Sequence, residues 1–157
     1  MKNLNQIGLD EKQSEQLISK LNNLLANYQI FYQNTRGFHW NIKGEKFFEL
    51  HLKFEELNTD LQLKIDEIAE RVLTLGGTPL HSFSQYLANS AIKPVENMHD
   101  GKQCVQSIHN GFSTLLTLQR EILSISANLN DEGTNAMASD YIRQQEKLVW
   151  MYSSFIG

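Results

Sequence analysis

The sequence predicts an all-α fold: a bundle of four long helices, with a short helix in the crossover between the second and third. Three observations predict it. Apolar residues recur at helical spacing along four long stretches. The only prolines, Pro79 and Pro94, both fall in the segment between the second and third stretches. Stop signals of helix-ending composition, Gly76-Gly77-Thr78-Pro79 and Asn130-Asp131-Glu132-Gly133, separate the stretches.

Each element follows in order. Residues 1–9 read as a short polar segment, and Asp10 as the N-cap of a first helix running to about Phe38. Leu17, Leu21, Leu24, Leu25, Tyr28 and Phe31 form its apolar face. Asn41 to Gly44 form a connection. The second helix spans about Glu45 to Leu75, with Leu50, Phe54, Leu57, Leu61, Ile65, Ile68 and Val72 along it. Phe83, Tyr86 and Leu87 give the segment from His81 to Ser90 enough apolar surface for a short helix. A third long helix covers about Asp100 to Asn128, through Val105, Ile108, Leu115 and Ile122. The fourth runs from about Thr134 to Phe155, through Met137, Tyr141, Leu148 and Trp150. The 157 residues are expected to form one domain, 1–157, around one core.

Bulk properties narrow the function. The N-terminal residues lack the apolar segment of a signal peptide, and no apolar run is long enough for a membrane span. Cys104 is the only cysteine, so no intrachain disulfide forms. These features point to a cytoplasmic protein with no membrane partner. The net charge of −4 gives the chain no general attraction for nucleic acid. There is no nucleophile triad, phosphate-binding glycine loop or zinc-type cysteine spacing.

The chemistry lies on the second helix. His51 and Glu55 are spaced i,i+4, as are Asp66 and Glu70, so each pair projects from one face. Glu55 and Asp66 are separated by about three turns, so both pairs lie on one stripe. The fifteen residues from His51 to Asp66 cover roughly 22 Å of helix axis, too far for one ion, whose ligand bonds are about 2 Å long. A second copy related by a two-fold axis near Asp60 and Leu61 would set Asp66 and Glu70 of one chain beside His51 and Glu55 of the other. One dimer would then carry two sites. His39, at the end of the first helix, is one short turn from the second helix and can fold back toward His51. Imidazole and carboxylate together suit iron, manganese or zinc, and carboxylates stabilise the ferric product, so iron is the expected metal. The plain alternative is a solvated helix face, with Asp66, Glu67, Glu70, Lys64 and Arg71 as surface charges.

The run His39-Trp40-Asn41-Ile42-Lys43-Gly44, then Phe47-Phe48-Glu49-Leu50-His51, then Asp66-Glu67-Ile68-Ala69-Glu70-Arg71, then Gly76-Gly77 resembles the Dps family of ferritin-like miniferritins. The likeness extends through Asp131-Glu132-Gly133-Thr134 to Trp150-Met151. It implies a homo-oligomer, a dodecameric hollow shell built from two-fold dimers, with two-iron ferroxidase centres at the dimer interfaces. His39, His51, Asp66 and Glu70 take the family's ligand positions. Glu55 stands where the family usually has Asp. The implied reaction is Fe(II) oxidation by hydrogen peroxide, or by oxygen, with Fe(III) mineral stored inside. Trp40 would flank the centre, or serve only as a packing indole.

Other candidates are weaker. Glu56, Asp60 and Glu67 could nucleate mineral or simply be solvated. The family's acidic pores lie near the start of the last helix. Asp131, Glu132 and Asp140 are the acids available there, and positions that often carry pore carboxylates are Ala127 and Ala136. Asp131 and Glu132 could equally serve the helix dipole. Glu96 and His99 form a single Glu-x-x-His, where larger di-iron bundles use two. His81 and His109 have no evident partners, and Cys104 reads as a small buried residue. Some family members coat DNA through basic tails. Here only Lys2 precedes Lys12 and the sequence ends at Gly157, so DNA binding is expected to be weak or absent.

Overall fold

The computed structural model describes residues 3–157. The first helix begins where the carboxylate of Asp10 accepts a hydrogen bond from the Gln13 amide at 2.8 Å. This helix, α1, spans Glu11–Asn41; α2 spans Phe47–Thr74, α3 Phe83–Asn89, α4 Gly101–Asn128 and α5 Glu132–Ile156. The expected all-α, ferritin-like architecture is observed, short crossover helix included. The first helix outruns its expected end and takes in Asn41, whose side chain bonds back to the Gly37 carbonyl at 2.9 Å.

Helices α1 and α2 form one hairpin, α4 and α5 a second, and α1 also packs on α4 and α3. The core between them holds Leu17, Leu21, Leu25, Phe31, Phe54, Leu61, Ile68, Ile108 and Phe112, all essentially sealed from solvent. Close approach is built in at Gly111, where a Cβ would lie 2.4 Å from the Phe31 ring.

The helix ends are decided locally. After α2, Gly76 takes φ +93°, its amide donates to Leu73 and the Gly77 amide donates to Val72, which is a Schellman ending. Asn130, at φ +59°, ends α4 in the same way. Asp131 follows at once and caps α5 through the Thr134 amide at 3.0 Å.

The crossover is strapped to α1 by asparagines. Asn22 accepts from the Leu80 amide and donates to the Thr78 carbonyl. Asn23 donates to Asn89. Asn27 accepts from the amides of Ala91 and Ile92, and Asn34 bonds Lys93 and Val95. Irregular backbone thereby finds partners on a helix that would otherwise offer it none.

Cys104 is buried as expected, and burial pushes its thiol up to about 11. His109 is bonded to Ser153 at 2.9 Å. Glu96 and His99 lie ahead of α4, and Asn97 between them has φ +57°. The pair therefore lacks the helical i,i+3 alignment that a shared ligand face needs.

One ion pair ties the end of α2 to the start of α5. The Arg71 guanidinium donates to Asp131 at 2.7 Å and to the Thr134 hydroxyl at 2.8 Å, with Asp131 98% buried. Asp131 therefore serves as a buried cap and counterion, not as a pore acid. Replacing Asp131 by Ala removes the cap and strands Arg71, with an expected loss of about 3 kcal/mol in urea unfolding. Asp131→Asn, which keeps an acceptor for the Thr134 amide, should lose visibly less.

Candidate metal centre

His39 sits in the last turn of α1 and His51 in the first turns of α2, and the turn between the helices folds one ring onto the other. Their rings stack at 3.9 Å with 12° between planes, and Phe47 stacks on the far side of His51 at 4.9 Å. The two histidines hold each other by exchange. Nδ1 of His39 lies 2.6 Å from the His51 carbonyl, and Nδ1 of His51 lies 2.7 Å from the His39 carbonyl. A carbonyl can only accept, so both Nδ1 atoms carry hydrogen and both neutral rings present their lone pair at Nε2. A carbonyl that holds the Nδ1 hydrogen fixes the ring and leaves Nε2 free to bind a metal. The His39 carbonyl lies in the last turn of α1, where helical acceptors go unmatched, so the contact also satisfies the helix end.

Glu55 completes this cluster, with its carboxylate 3.8 Å from Nε2 of His39. His39 is nearly buried, whereas Glu55 is exposed. The centre is thus open on the carboxylate side and walled by rings on the other.

Asp66 and Glu70 lie farther along α2, both exposed. They are close enough to share a hydrogen bond. That bond, and then repulsion from the Asp66 charge, hold Glu70 above the usual carboxylate range. A divalent cation between them would relieve the repulsion. Among the described residues of one chain, no three His, Cys, Asp or Glu side chains converge tightly enough to hold a metal. The structure brings His39, His51 and Glu55 together and leaves Asp66 and Glu70 apart from them on the same helix.

Neighbouring charges are committed elsewhere. Lys64 is buried and bonded to Asp60 at 2.7 Å and to Gln144 at 2.8 Å. Glu67 accepts from the Tyr141 hydroxyl at 2.6 Å, and Glu56 accepts from Lys53 at 3.1 Å. The face is therefore not a uniformly solvated charge stripe. Trp40 stays exposed at the end of α1, with the Arg36 guanidinium 4.9 Å from its ring centre. Leu61 is fully buried, so the α2 surface at the level expected for a two-fold axis is formed by Thr59 and Gln62 instead.

The sequence model of the ferritin-like domain matches residues 18–157. A Porphyromonas gingivalis protein named DNA protection during starvation protein is 38% identical over 148 residues, covering 94% of this chain and 93% of its own. The chain belongs to the Dps family of ferritin-like proteins. A Vibrio cholerae Dps structure, described as a ferritin-like diiron-carboxylate protein, superposes with TM-score 0.97 at 58% identity. That match covers 98% of this chain and 97% of the other. A Bacillus brevis Dps structure gives 0.90 at 33% identity, covering 93% of this chain and 98% of that one.

His81, set aside from the sequence as lacking a partner, is exposed on the crossover, its ring bonded to the Pro79 carbonyl at 2.9 Å. For the Dps histidines His39 and His51, nitrogen-15 imidazole spectra of the metal-free protein should show protonated Nδ1 and bare Nε2 in the neutral rings. A protonated Nε2 on either ring would contradict the exchanged hydrogen bonds.

Proposed function

We propose that this protein is an iron-storing miniferritin that oxidises Fe(II), preferentially with hydrogen peroxide, at sites shared between two copies of the chain. One observation carries the reading. Two incomplete ligand sets, His51-Glu55 joined by His39 from the end of α1, and Asp66-Glu70, flank the level of Thr59 and Gln62 at equal distances along one stripe of α2. A two-fold axis at that level turns two incomplete sets into two complete centres. The same stripe carries Phe48, Leu52, Leu63 and Leu73, each more than half exposed. Apolar side chains aligned with the ligands are the expected cover for a dimer contact. A dodecameric shell built from such dimers gives the product a closed space, in keeping with family membership.

Iron is the substrate. The donor set fits it: two imidazole nitrogens and three carboxylates, with Glu55 on the open side. The residues bind and orient. The stacked histidines offer fixed lone pairs, and Phe47 shields one ring face from water. The carboxylates supply the negative charge that favours Fe(III) over Fe(II). Two ferrous ions deliver two electrons to one hydrogen peroxide, which with two protons leaves as two waters. Pairing the electrons avoids one-electron cleavage and its hydroxyl radical. Trp40, exposed and next to His39 in the sequence, would intercept stray oxidising equivalents.

DNA coating has little support from the residues. Lys2 lies outside the described residues. From Asn3 onward the N-terminal segment folds onto itself, with the Asn5 side chain accepting from the amides of Ile7 and Leu9 and the Asn3 carbonyl from Glu11. It offers no cluster of cations for phosphates.

Anaerobic loading with Fe(II) followed by peroxide tests the main reading. The wild type should form soluble Fe(III) quickly, and Asp66→Ala with Glu70→Ala should fall to the protein-free rate with its helical circular dichroism unchanged. Persistence of fast oxidation in the double variant would place the chemistry elsewhere. In a separate gel assay at about 0.15 M salt, linear duplex DNA should run unshifted; a clear shift would restore the nucleoid-binding alternative.

A further inference from the structure

We infer that Phe47 is a positioning residue for the metal centre: its ring closes the second face of His51 and fixes the plane of that imidazole, and with it the direction of Nε2. The inference rests on the shared-centre reading above, because it names what keeps one of that centre's ligands aligned.

His51 needs more than one restraint. Its own ring torsion is broad and sets the plane only weakly. The Nδ1 contact with the His39 carbonyl, 2.7 Å long, anchors one edge of the ring. One hydrogen bond accepts a wide range of angles, so the ring can still tilt about that edge. The His39 ring stops tilting toward one side, at 3.9 Å and 12°. Phe47 stops it on the other, with ring centres 4.9 Å apart and planes 18° apart. His51 is thus bracketed between two flat faces. His39 depends less on such a bracket, since the bundle already buries it.

Local sequence puts the phenyl ring there. Phe47 and His51 are spaced i,i+4 on α2, so their side chains meet on one face of the helix. Gly44, at φ +110°, makes the turn ahead of the helix, and its carbonyl accepts from the Phe47 amide at 3.1 Å. Phe47 is itself held, half-buried against the core and met edge-on by Phe48 at 5.3 Å and 76°. Its side chain has no atom that can ligate, so it acts on a metal only through His51. The flat face is what matters: offset stacking of two rings has a preferred geometry, and an aliphatic side chain of similar bulk has none.

The test compares Phe47→Leu, which keeps apolar bulk without a plane, with Phe47→Tyr, which keeps the ring, both as the assembled protein. Nitrogen-15 spectra of the metal-free protein read the His51 tautomer, and anaerobic calorimetry with Co(II) reads the availability of its lone pair. In wild type and Phe47→Tyr, His51 should carry its hydrogen on Nδ1 alone. In Phe47→Leu the Nε2-protonated form should appear beside it. Cobalt affinity at the His39-His51 position should fall about tenfold in Phe47→Leu, the usual scale for losing a group that orients a metal ligand, and Phe47→Tyr should retain it. A Phe47→Leu protein with the wild-type His51 tautomer and cobalt affinity would overturn the assignment. Equal losses in the Leu and Tyr variants would also overturn it, since they would make Phe47 a packing residue only. If the wild type bound no cobalt, the shared centre would fall, while the His51 spectra would still decide the role of Phe47.

Discussion

The rotation of α2 about its own axis is the constraint on which the rest depends. A helix can bury only one stripe, and on α2 that stripe is Leu50, Phe54, Leu57, Leu61, Ile68 and Val72. Burying it fixes the opposite stripe, which holds His51, Glu55, Asp66 and Glu70. A rotation by one residue's worth of helix would expose Leu61 and turn the ligands toward neighbouring helices. Two polar locks reinforce the apolar one. Lys64 is drawn inward between Asp60 and Gln144, and Arg71 reaches across to the cap of α5. The bonds of Lys64 to Gln144 and of Arg71 to Asp131 and Thr134 cross to α5 and break if α2 turns, leaving buried charge less well paired.

The bundle interior adds its own register. The Tyr28 hydroxyl, Gln119 and Gln145 close a ring of hydrogen bonds among α1, α4 and α5, all fully buried. Burial pushes the Tyr28 phenol far up, so it stays a donor across the accessible pH range. Tyr141 is raised in the same way, first by burial and then by its bond to Glu67. Such a ring is satisfied in only one sliding position of the three helices, whereas apolar packing alone tolerates several. The two hairpins are thereby held at one height, and the α1–α2 turn that carries both histidines is held with them.

The histidine pair shows how structure and site share the same bonds. Each ring spends its Nδ1 hydrogen on the other residue's carbonyl, which closes the α1–α2 turn and leaves Nε2 bare. Fold and ligand preparation cannot be separated at these two positions. The crossover is held separately, by asparagines of α1 that bond its backbone.

By itself the sequence determined the helices and their ends, because caps, Gly-Gly stops and apolar periodicity act within a few residues. It also determined the angular alignment of His51, Glu55, Asp66 and Glu70, since helix geometry alone converts spacing into direction. The tertiary structure decided the remainder. That Asp131 is a buried counterion of Arg71 depends on residues sixty positions apart. That Leu61 lies in the core, leaving Thr59 and Gln62 at the surface, depends on which stripe α1 and α5 cover. The imidazole tautomers depend on carbonyls supplied by another helix or by the turn at Pro79. The path of the crossover back along α1 depends on asparagines of α1 that bond its backbone. Each is a long-range contact, and local periodicity has no means of encoding which distant partner arrives.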